Sequence, residues 1–428
     1  MKIWKKTDLD FDGALKKLVN RADVDYTTHD ATVRQIIEDV RNEGNSALIR
    51  YTNQFDKTNY EQADIKVQSR EIELAYEKVS SEELDALKLA AKKIKRFHEK
   101  QEQESWEYEE NGVTLGQMVR PLERVGIYVP GGKASYPSSI LMNAIPAKVA
   151  GVNEIVMVSP TPGGKVRPHC LVAADLAGVD SIYRVGGAQA VAALAYGTES
   201  IPKVDKIVGP GNIFVALAKR MVFGVVDIDM IAGPSEILIV ADKSAKPHFV
   251  AADLLSQAEH DEEAVPILVT SSSDLADKVV AELDRQKQTL NRKNIIQTSL
   301  NDKCEIFIVS DVAEAVDLAN QIAPEHLELA IEAPEKWVKQ ITNAGAVFLG
   351  HYTPEAIGDY LAGPNHVLPT SGTARFSSPL GVYDFVKKTS LISYTKETLR
   401  QVSDPCRILA QLEDLDAHAN AVKIRVED

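Results

Sequence analysis

With 428 residues, the chain is long enough for about two to four domains of ordinary size. Its composition, 44% hydrophobic and 26% charged, is typical of a soluble globular protein, and no apolar run approaches the length of a membrane span. A formal charge of −14 argues against nonspecific binding to nucleic acid, whose phosphates attract basic surfaces.

Neither the first residues nor the cysteines indicate export. The first residues, MKIWKKTDLDFDGALKK, lack the apolar block of a secretory signal, so we expect a cytoplasmic protein. Cys170, Cys304 and Cys406 are scattered and match neither a disulfide framework nor a metal knuckle. We expect them to be ordinary buried thiols.

The pattern of the first 123 residues is mostly helical and highly charged, and Ser80 and Glu83 predict a capping box at one helix start. After Arg124, short apolar runs alternate with alanine-rich helical segments, which predicts a parallel α/β sheet. The strand-like runs are VGIYVP, EIVMVSP, SIYRVGG, KIVGPG and EILIVAD.

A second α/β unit follows a helix that is predicted from about Pro247 to near His260. Its strand-like runs are VPILVTS, EIFIVS and AGAVFLG, with helices predicted at 275–290 and 312–322. From about Gly381 the sequence becomes helical and polar, and this segment is too short to enclose a core. We therefore expect it to dock elsewhere, possibly on another subunit.

The stretch Ile228–His260 combines a turn, a buried strand and a helix. Gln257 and His260 lie three residues apart near the end of that helix, so one face presents both side chains and would allow them to hold one cation. From the residues alone, such a histidine is more often an ordinary hydrogen-bonded side chain than a metal ligand.

Three glycine-bearing turns follow predicted strands, at the end of a sheet where open α/β folds bind ligands. They span 128–132, 186–189 and 209–212, and the last precedes a helix whose N-terminal amides would suit a phosphate. No complete GxGxxG is present. For the turn at 209–212, an ordinary strand-to-helix connection is about as good an interpretation.

Glu325 and His326 follow Pro324, which favours the first position of a helix. The positive potential of a helix start would keep a glutamate ionised and an imidazole neutral, so that His326 accepts protons. The alternative is a glutamate that serves the helix dipole, with a surface histidine beside it.

The stretch Ile228–His260, together with matches from Arg124 to His418, closely resembles the histidinol dehydrogenase family of zinc- and NAD-dependent enzymes, which complete histidine biosynthesis. The resemblance implies an α/β fold with two incomplete Rossmann-like parallel-sheet domains plus small, mainly helical terminal segments that interdigitate in a homodimer. The implied boundaries are an N-terminal segment (1–26), a metal and catalytic domain (27–127 and 237–380), an NAD domain (128–236) and a C-terminal segment (381–428).

The resemblance also implies the site residues. Glu325 would activate water, and His326 would be the general base toward the substrate hydroxyl. The implied zinc ligands are Gln257, His260, Asp359 and His418; the implied NAD contacts are Tyr128, Gln189 and Asn212; the implied substrate contacts are Ser235, Gln257, His260, His326, Asp359, Glu413 and His418. Asp359 lies in a glycine- and proline-rich stretch that we interpret as a functional loop, and Glu413 and His418 would come from the partner subunit. His366 receives no role.

The implied reaction is a four-electron oxidation of L-histidinol to L-histidine through the aldehyde, with two NAD molecules as hydride acceptors. Three alternatives remain open at this point: a related dehydrogenase of another small diol, a zinc hydrolase in which Glu325 and a metal-bound water attack an ester or amide, and a non-catalytic nucleotide-binding or scaffold protein. The glycine turns argue against the hydrolase.

Overall fold

The structure is a computed structural model that describes residues 1–21, 27–131, 136–164 and 166–427. Gly132, in the first predicted glycine turn, lies outside these residues. Within them, no helix is both long enough and apolar enough to cross a membrane.

Two parallel sheets form the framework of the described residues, and a small antiparallel sheet is added to them. In spatial order, the six-stranded sheet contains β1 (Lys2–Lys5), β11 (Glu305–Ile308), β10 (Val265–Thr270), β9 (Glu236–Ala241), β12 (His326–Ala330) and β13 (Ala346–Leu349). The five-stranded sheet contains β6 (Ser181–Tyr183), β5 (Glu154–Val158), β4 (Arg124–Tyr128), β7 (Lys206–Val208) and β8 (Asp227–Ile228). The antiparallel sheet contains β14 (Val386–Tyr394), β3 (Val113–Pro121) and β2 (Trp106–Glu110).

Helices cover both faces of each parallel sheet, which confirms the predicted α/β class with two Rossmann-like parallel sheets. The helices are α1 (Phe11–Val19), α2 (Thr27–Glu43), α3 (Asn45–Asp56), α4 (Ser69–Tyr76), α5 (Ser81–His98), α6 (Pro137–Val149), α7 (Pro168–Ala177), α8 (Gly187–Tyr196), α9 (Ile213–Val222), α10 (Pro247–Ala258), α11 (Ser273–Gln286), α12 (Lys293–Asp302), α13 (Val312–Ile322), α14 (Glu355–Tyr360), α15 (Lys396–Leu412) and α16 (Asp416–Glu427).

Four buried hydrophobic clusters fill the spaces between helices and sheets. In the five-stranded sheet, one face packs against α2, α3, α8 and α9, and the other packs against α5, α6 and α7. In the six-stranded sheet, one face packs against α10, α11 and α12, and the other packs against α1 and α13. The strands are therefore buried on both sides, as their continuous apolar runs indicate. The domain boundaries given above stay a prediction.

The predicted capping box at the start of α5 is confirmed. The Ser80 hydroxyl accepts a hydrogen bond from the Glu83 amide at 3.2 Å, and the Glu83 carboxylate accepts one from the Ser80 amide at 2.8 Å. The predicted helices that begin at Pro247 and Val312 are also confirmed.

The C-terminal segment differs in part from its prediction. It is mainly helical, as expected, but it includes strand β14, which pairs with β3 over nine residues. Helices α15 and α16 pack on each other and leave much of their apolar surface exposed, including Ile408, Leu409 and Leu412. The expectation of three buried thiols is wrong for Cys406, which lies exposed on α15, and Cys170 is only half-buried.

The predicted site residues lie at opposite edges of the two parallel sheets. The starts of β9 and β12 and the end of α10 lie at the amino edge of the six-stranded sheet, whereas the glycine turns lie at the carboxyl edge of the five-stranded sheet. The stretch that follows α14 joins the two regions, because His366 contacts Ser139 at the start of α6 and the Asn365 amide donates to the Met142 carbonyl.

Candidate active site

His326 begins a buried central strand, so the prediction that it lies in the opening turn of a helix is wrong. Strand β12 pairs with β9 on one side and β13 on the other, and all five of its residues are buried. Backbone pairing on both sides and burial outweigh the local preference of Pro324 for a helix start. The helix potential that was expected to act on Glu325 and His326 is therefore absent.

The main chain of Glu236, at the start of β9, holds both residues. Its amide donates to Glu325 Oε2 at 2.8 Å, and its carbonyl accepts from His326 Nδ1 at 2.9 Å. Because Nδ1 is the donor, Nε2 is the ring nitrogen that can accept a proton. His326 Nε2 is buried and has no hydrogen-bond partner among the described residues.

That free nitrogen faces a group of carboxylates and a second histidine. His326 Nε2 lies 3.7 Å from Asp359 Oδ1 and 3.9 Å from Glu355 Oε1. One ligand atom from each of His260, Glu355 and Asp359 lies within 4.8 Å of the other two. We call these three side chains the cation cluster. Two of its members, His260 and Asp359, were predicted as zinc ligands.

Gln257 joins the cation cluster through Glu355. Its side chain is fully buried in the last turn of α10, and with its nitrogen turned toward Glu355 it donates to the two carboxylate oxygens at 3.0 and 3.1 Å. The structure therefore brings together Gln257, His260 and Asp359. The glycine-rich surroundings of Asp359 were expected to form a loop. Asp359 instead lies in the short helix α14.

The sequence interpretation missed Glu355 and gave His366 no role. Glu355 precedes Asp359 by four residues, and helical spacing alone would have placed both carboxylates on one face. His366 Nδ1 donates to the main-chain carbonyl of Asp359 at 2.9 Å, and the Ser139 hydroxyl lies 3.3 Å from its Nε2. No sequence pattern indicates the contact of His366 with Asp359, because it depends on how the loop folds back.

Burial dominates the electrostatics of two acids beside His326, Glu325 and Glu355. It raises the pKa of Glu325 to about 8 and that of Glu355 to about 7, because each charged carboxylate loses its hydration. Burial opposes a charged imidazole too, but attraction to Glu325, Asp359 and Glu355 outweighs it and raises the pKa of His326 well above its usual range. The expectation that a helix end keeps Glu325 ionised is therefore wrong.

Asp359 and the other histidines shift the opposite way. Burial would raise the pKa of Asp359, but its attraction to His326, His366 and His260 prevails and lowers that pKa. Burial lowers the pKa of both His260 and His366, which favours their neutral, metal-binding form.

This donor set fits zinc. A neutral imidazole from the turn after α10, an amide side chain from α10 and a carboxylate oxygen from α14 converge, and a borderline cation accepts such a mixture of nitrogen and oxygen donors. The adjacent carboxylate of Glu355 would further favour a cation. These three donors leave further coordination positions for other ligands.

His418 and Glu413, the remaining predicted partners of the site, are not brought to it within one chain. Both side chains are exposed, His418 on α16 and Glu413 at the end of α15. Ser235 directly precedes β9 and is half-buried, so it lies beside Glu236 at the same sheet edge as His326.

The three glycine turns come close together at the ends of β4, β6 and β7. The Gly187 amide donates to the Tyr128 hydroxyl at 3.1 Å, which links the first two turns. Gly209 has a φ of +107°, and a side chain there would overlap the carbonyl oxygen of Tyr128. Asn212 caps α9 by accepting from the amides of residues 214 and 215. Gln189 Oε1 is buried without a partner among the described residues.

A buried ion pair supports the turn at Gly209. Lys219 Nζ contacts Asp229 Oδ1, and the two side chains are only 3% and 1% exposed. The ammonium also donates to the Gly209 carbonyl at 2.9 Å, while Asp229 Oδ2 accepts from the Gly209 amide at 2.7 Å. Both main-chain groups of this glycine are thereby fixed.

Comparisons with known proteins agree with this arrangement. The profile described as histidinol dehydrogenase matches residues 19–426. The chain is 56% identical to the histidinol dehydrogenase of Syntrophotalea carbinolica over 100% of both chains, and 57% identical to that of Caldanaerobacter subterraneus subsp. tengcongensis over 96% of both. The crystal structure of histidinol dehydrogenase from Elizabethkingia anophelis superposes with a TM-score of 0.94 at 39% identity, covering 100% of this chain and 98% of that one. This chain therefore belongs to the histidinol dehydrogenase family of oxidoreductases.

Proposed function

We propose that the protein oxidises L-histidinol to L-histidine with two molecules of NAD, as the last step of histidine biosynthesis in the cytoplasm. The observation that carries this proposal is the buried His326 Nε2, which has no hydrogen-bond partner among the described residues and faces the cation cluster. A base in this position suits removal of a proton from an alcohol that is held beside a cation.

We propose Gln257, His260 and Asp359 as the zinc ligands of this chain, and Tyr128, Gln189 and Asn212 as its NAD contacts. When bound, zinc would supply a Lewis acid that orients the imidazole and amino nitrogens of histidinol, and NAD would supply the hydride acceptor. A cation here would also lower the pKa of His326, because its positive charge repels a protonated imidazole and offsets the negative charge of the carboxylates that raise that pKa.

In the first oxidation, His326 Nε2 takes the hydroxyl proton while the carbinol carbon loses a hydride, which gives the aldehyde. Water then adds to the aldehyde: Glu325 accepts a proton from that water, and His326 Nε2 returns its proton to the aldehyde oxygen, so that it can accept a proton again. The pKa of Glu325 near 8 suits a group that gains and loses protons around neutral pH. In the second oxidation the hydrated aldehyde loses another hydride, His326 again takes a hydroxyl proton, and the carboxylic acid forms.

Purified protein with histidinol and NAD tests the reaction. We expect NADH absorbance to rise by two equivalents per histidinol and His326→Asn to abolish most of this rise. A rise of one equivalent, or a better rate with another small diol, would contradict the proposed substrate. If NADH does not form while a zinc-dependent hydrolysis proceeds, the hydrolase alternative is correct.

We further propose a homodimer in which each active site receives Glu413 and His418 of the partner subunit. Both residues are exposed on a C-terminal segment that leaves Ile408, Leu409 and Leu412 uncovered, as expected if a second subunit packs there. With Ser235, these residues would complete the substrate pocket.

Mixing two inactive variants tests the shared site. In a mixed dimer of His418→Ala and Asp359→Ala subunits, one site has both wild-type side chains and the other has neither. Random reassortment makes half of the dimers mixed, so we expect about a quarter of the wild-type activity to return. If each site is built from one chain alone, mixing restores nothing.

A further inference from the structure

Glu236 is central to the geometry of the proposed catalytic pair, although its carboxylate hydrogen-bonds Arg21 and the Ser371 amide rather than Glu325 or His326. Its main-chain amide and carbonyl bind Glu325 and His326 respectively, so the position of this one residue sets the position of both side chains. The bond to His326 Nδ1 also selects the tautomer in which Nε2 accepts a proton.

The Glu236 side chain is in turn held by Arg21, which follows α1. Arg21 Nε and Nη2 donate to the two carboxylate oxygens at 2.5 and 2.6 Å, in the two-pronged geometry that only a guanidinium provides. The pair is almost entirely buried, with side chains 11% and 1% exposed. The Ser371 amide also donates to Glu236 Oε1, at 3.1 Å.

Arg21 binds the second catalytic strand as well. Its Nη1 donates to the Ile322 carbonyl at 2.9 Å and its Nη2 to the Ala323 carbonyl at 3.4 Å, directly before Pro324 and Glu325. A further bond goes to the Leu18 carbonyl at 2.9 Å. One guanidinium therefore links the start of β9 to the backbone that leads into β12.

We propose that Arg21 and Glu236 are positioning residues for the oxidation of histidinol, acting through the Glu236 main chain on Glu325 and His326. This inference rests on the catalytic roles proposed above. Both strands begin at the same edge of the six-stranded sheet, so a shift of β9 relative to β12 moves the Glu236 carbonyl away from His326 Nδ1. Misplacing a reacting group by about 1 Å costs a rate factor on the order of 100.

The test compares Arg21→Lys and Glu236→Gln with the wild-type enzyme, loaded with zinc, in steady-state kinetics. Arg21→Lys keeps the charge and loses the two-pronged contact, and Glu236→Gln keeps the shape and loses the charge. We expect each to lower kcat by about 10- to 100-fold with KM for histidinol and for NAD unchanged. Arg34→Lys is the matched control, because Arg34 forms an exposed pair with Asp30 at 3.2 Å and should keep the wild-type kcat.

A double variant separates positioning from general stability. If Arg21 acts through His326, adding Arg21→Lys to His326→Asn lowers kcat much less than it does in the wild-type background. If Arg21→Lys lowers kcat by the same factor in both backgrounds, its role is merely structural and the proposal is overturned. The same holds if the loss of kcat is accompanied by raised KM values and a lowered melting temperature. Wild-type kcat in folded Arg21→Lys and Glu236→Gln would overturn it too. Wild-type activity of His326→Asn alone would instead refute the catalytic assignment, and this inference with it.

Discussion

Replacement of Lys219 by methionine tests whether the buried ion pair beneath the Gly209 turn is needed for both stability and NAD binding. Methionine keeps most of the length of the side chain and removes its charge. The change leaves the Asp229 carboxylate, which is 1% exposed, without its counter-ion. It also leaves the Gly209 carbonyl without the hydrogen bond from Nζ.

The expected loss in the free energy of unfolding depends on which hydrogen bonds Asp229 keeps. Removing one partner of a buried ion pair costs about 3–5 kcal/mol, because the other charge stays buried. Asp229 keeps hydrogen bonds from the Gly209 amide at 2.7 Å and the Met230 amide at 2.6 Å, which places Lys219→Met at the lower end, about 3 kcal/mol. Adding Asp229→Asn removes the orphaned charge and keeps an acceptor oxygen, so the double variant should be more stable than Lys219→Met.

Urea unfolding followed by circular dichroism gives the free energies, and calorimetric titration gives the NAD affinity. We expect Lys219→Met to bind NAD more weakly than the wild type and to keep the same zinc content. Lys278→Met is the control, because Lys278 forms an exposed pair with Asp274 within one helix. A loss below about 1 kcal/mol for Lys219→Met, or a double variant that shows the sum of the two single losses, would refute the reasoning.

Three further predictions concern the ionisation of Glu325, the glycine turn and the assembly. The pKa of Glu325 is raised from an ordinary 4.5 to about 8, so the folded protein binds an extra proton between these values and the free energy of unfolding falls as pH rises through them. In metal-free protein, Glu325→Gln should therefore gain stability relative to the wild type from pH 4.5 to 8, approaching about 5 kcal/mol at about 1.4 kcal/mol per pKa unit. Gly209→Ala should weaken NAD binding and cost about 1–3 kcal/mol, because the added carbon meets the Tyr128 carbonyl at a positive φ. Combining Ile408→Glu with Leu412→Glu should give inactive monomers in analytical ultracentrifugation, since both side chains are exposed on α15 of a single chain.

Each of these has an outcome that contradicts it. A stability difference between Glu325→Gln and wild type that does not change with pH would mean that Glu325 is ionised in the fold at all these pH values. Gly13→Ala is the control for the glycine change, because nothing lies within 4 Å of the added carbon and Gly13 is in a helix. A Gly209→Ala protein that behaves like Gly13→Ala would contradict the steric argument. A stable, active dimer of the Ile408→Glu and Leu412→Glu protein would exclude α15 from the interface.

The elements that the sequence predicts correctly are those whose local and tertiary preferences agree. Strand β9 is a continuous apolar run, and α10 has apolar side chains at helical spacing, so both follow from periodicity. Strand β1 was not predicted because KIWK is a short, charged edge strand that, among the described residues, pairs with β11 alone. Strand β14 was not predicted because its mixed polar sequence gains order from pairing with β3, which is more than 260 residues away in the chain.

The candidate site shows the same division. The spacing of Gln257 and His260 predicts that they share a helix face, and the structure brings both to the cation cluster. The local signal at Pro324 predicts a helix for His326, yet pairing partners from two distant strands make it a strand. Convergence of α14 with α10 depends on packing between segments about 100 residues apart, and no local pattern contains it.

The interior place of β12 in its sheet has a consequence for motion during turnover. Glu325 and His326 lie where neighbouring backbones are hydrogen-bonded on both sides, so these positions open to solvent only with large-scale unfolding. The opening that admits substrate and releases product must then come from less firmly paired parts, such as the short helix α14 and the loop over 361–372 that follows it. A slow step limited by such rearrangement would respond to solvent viscosity, while the base itself stays in place.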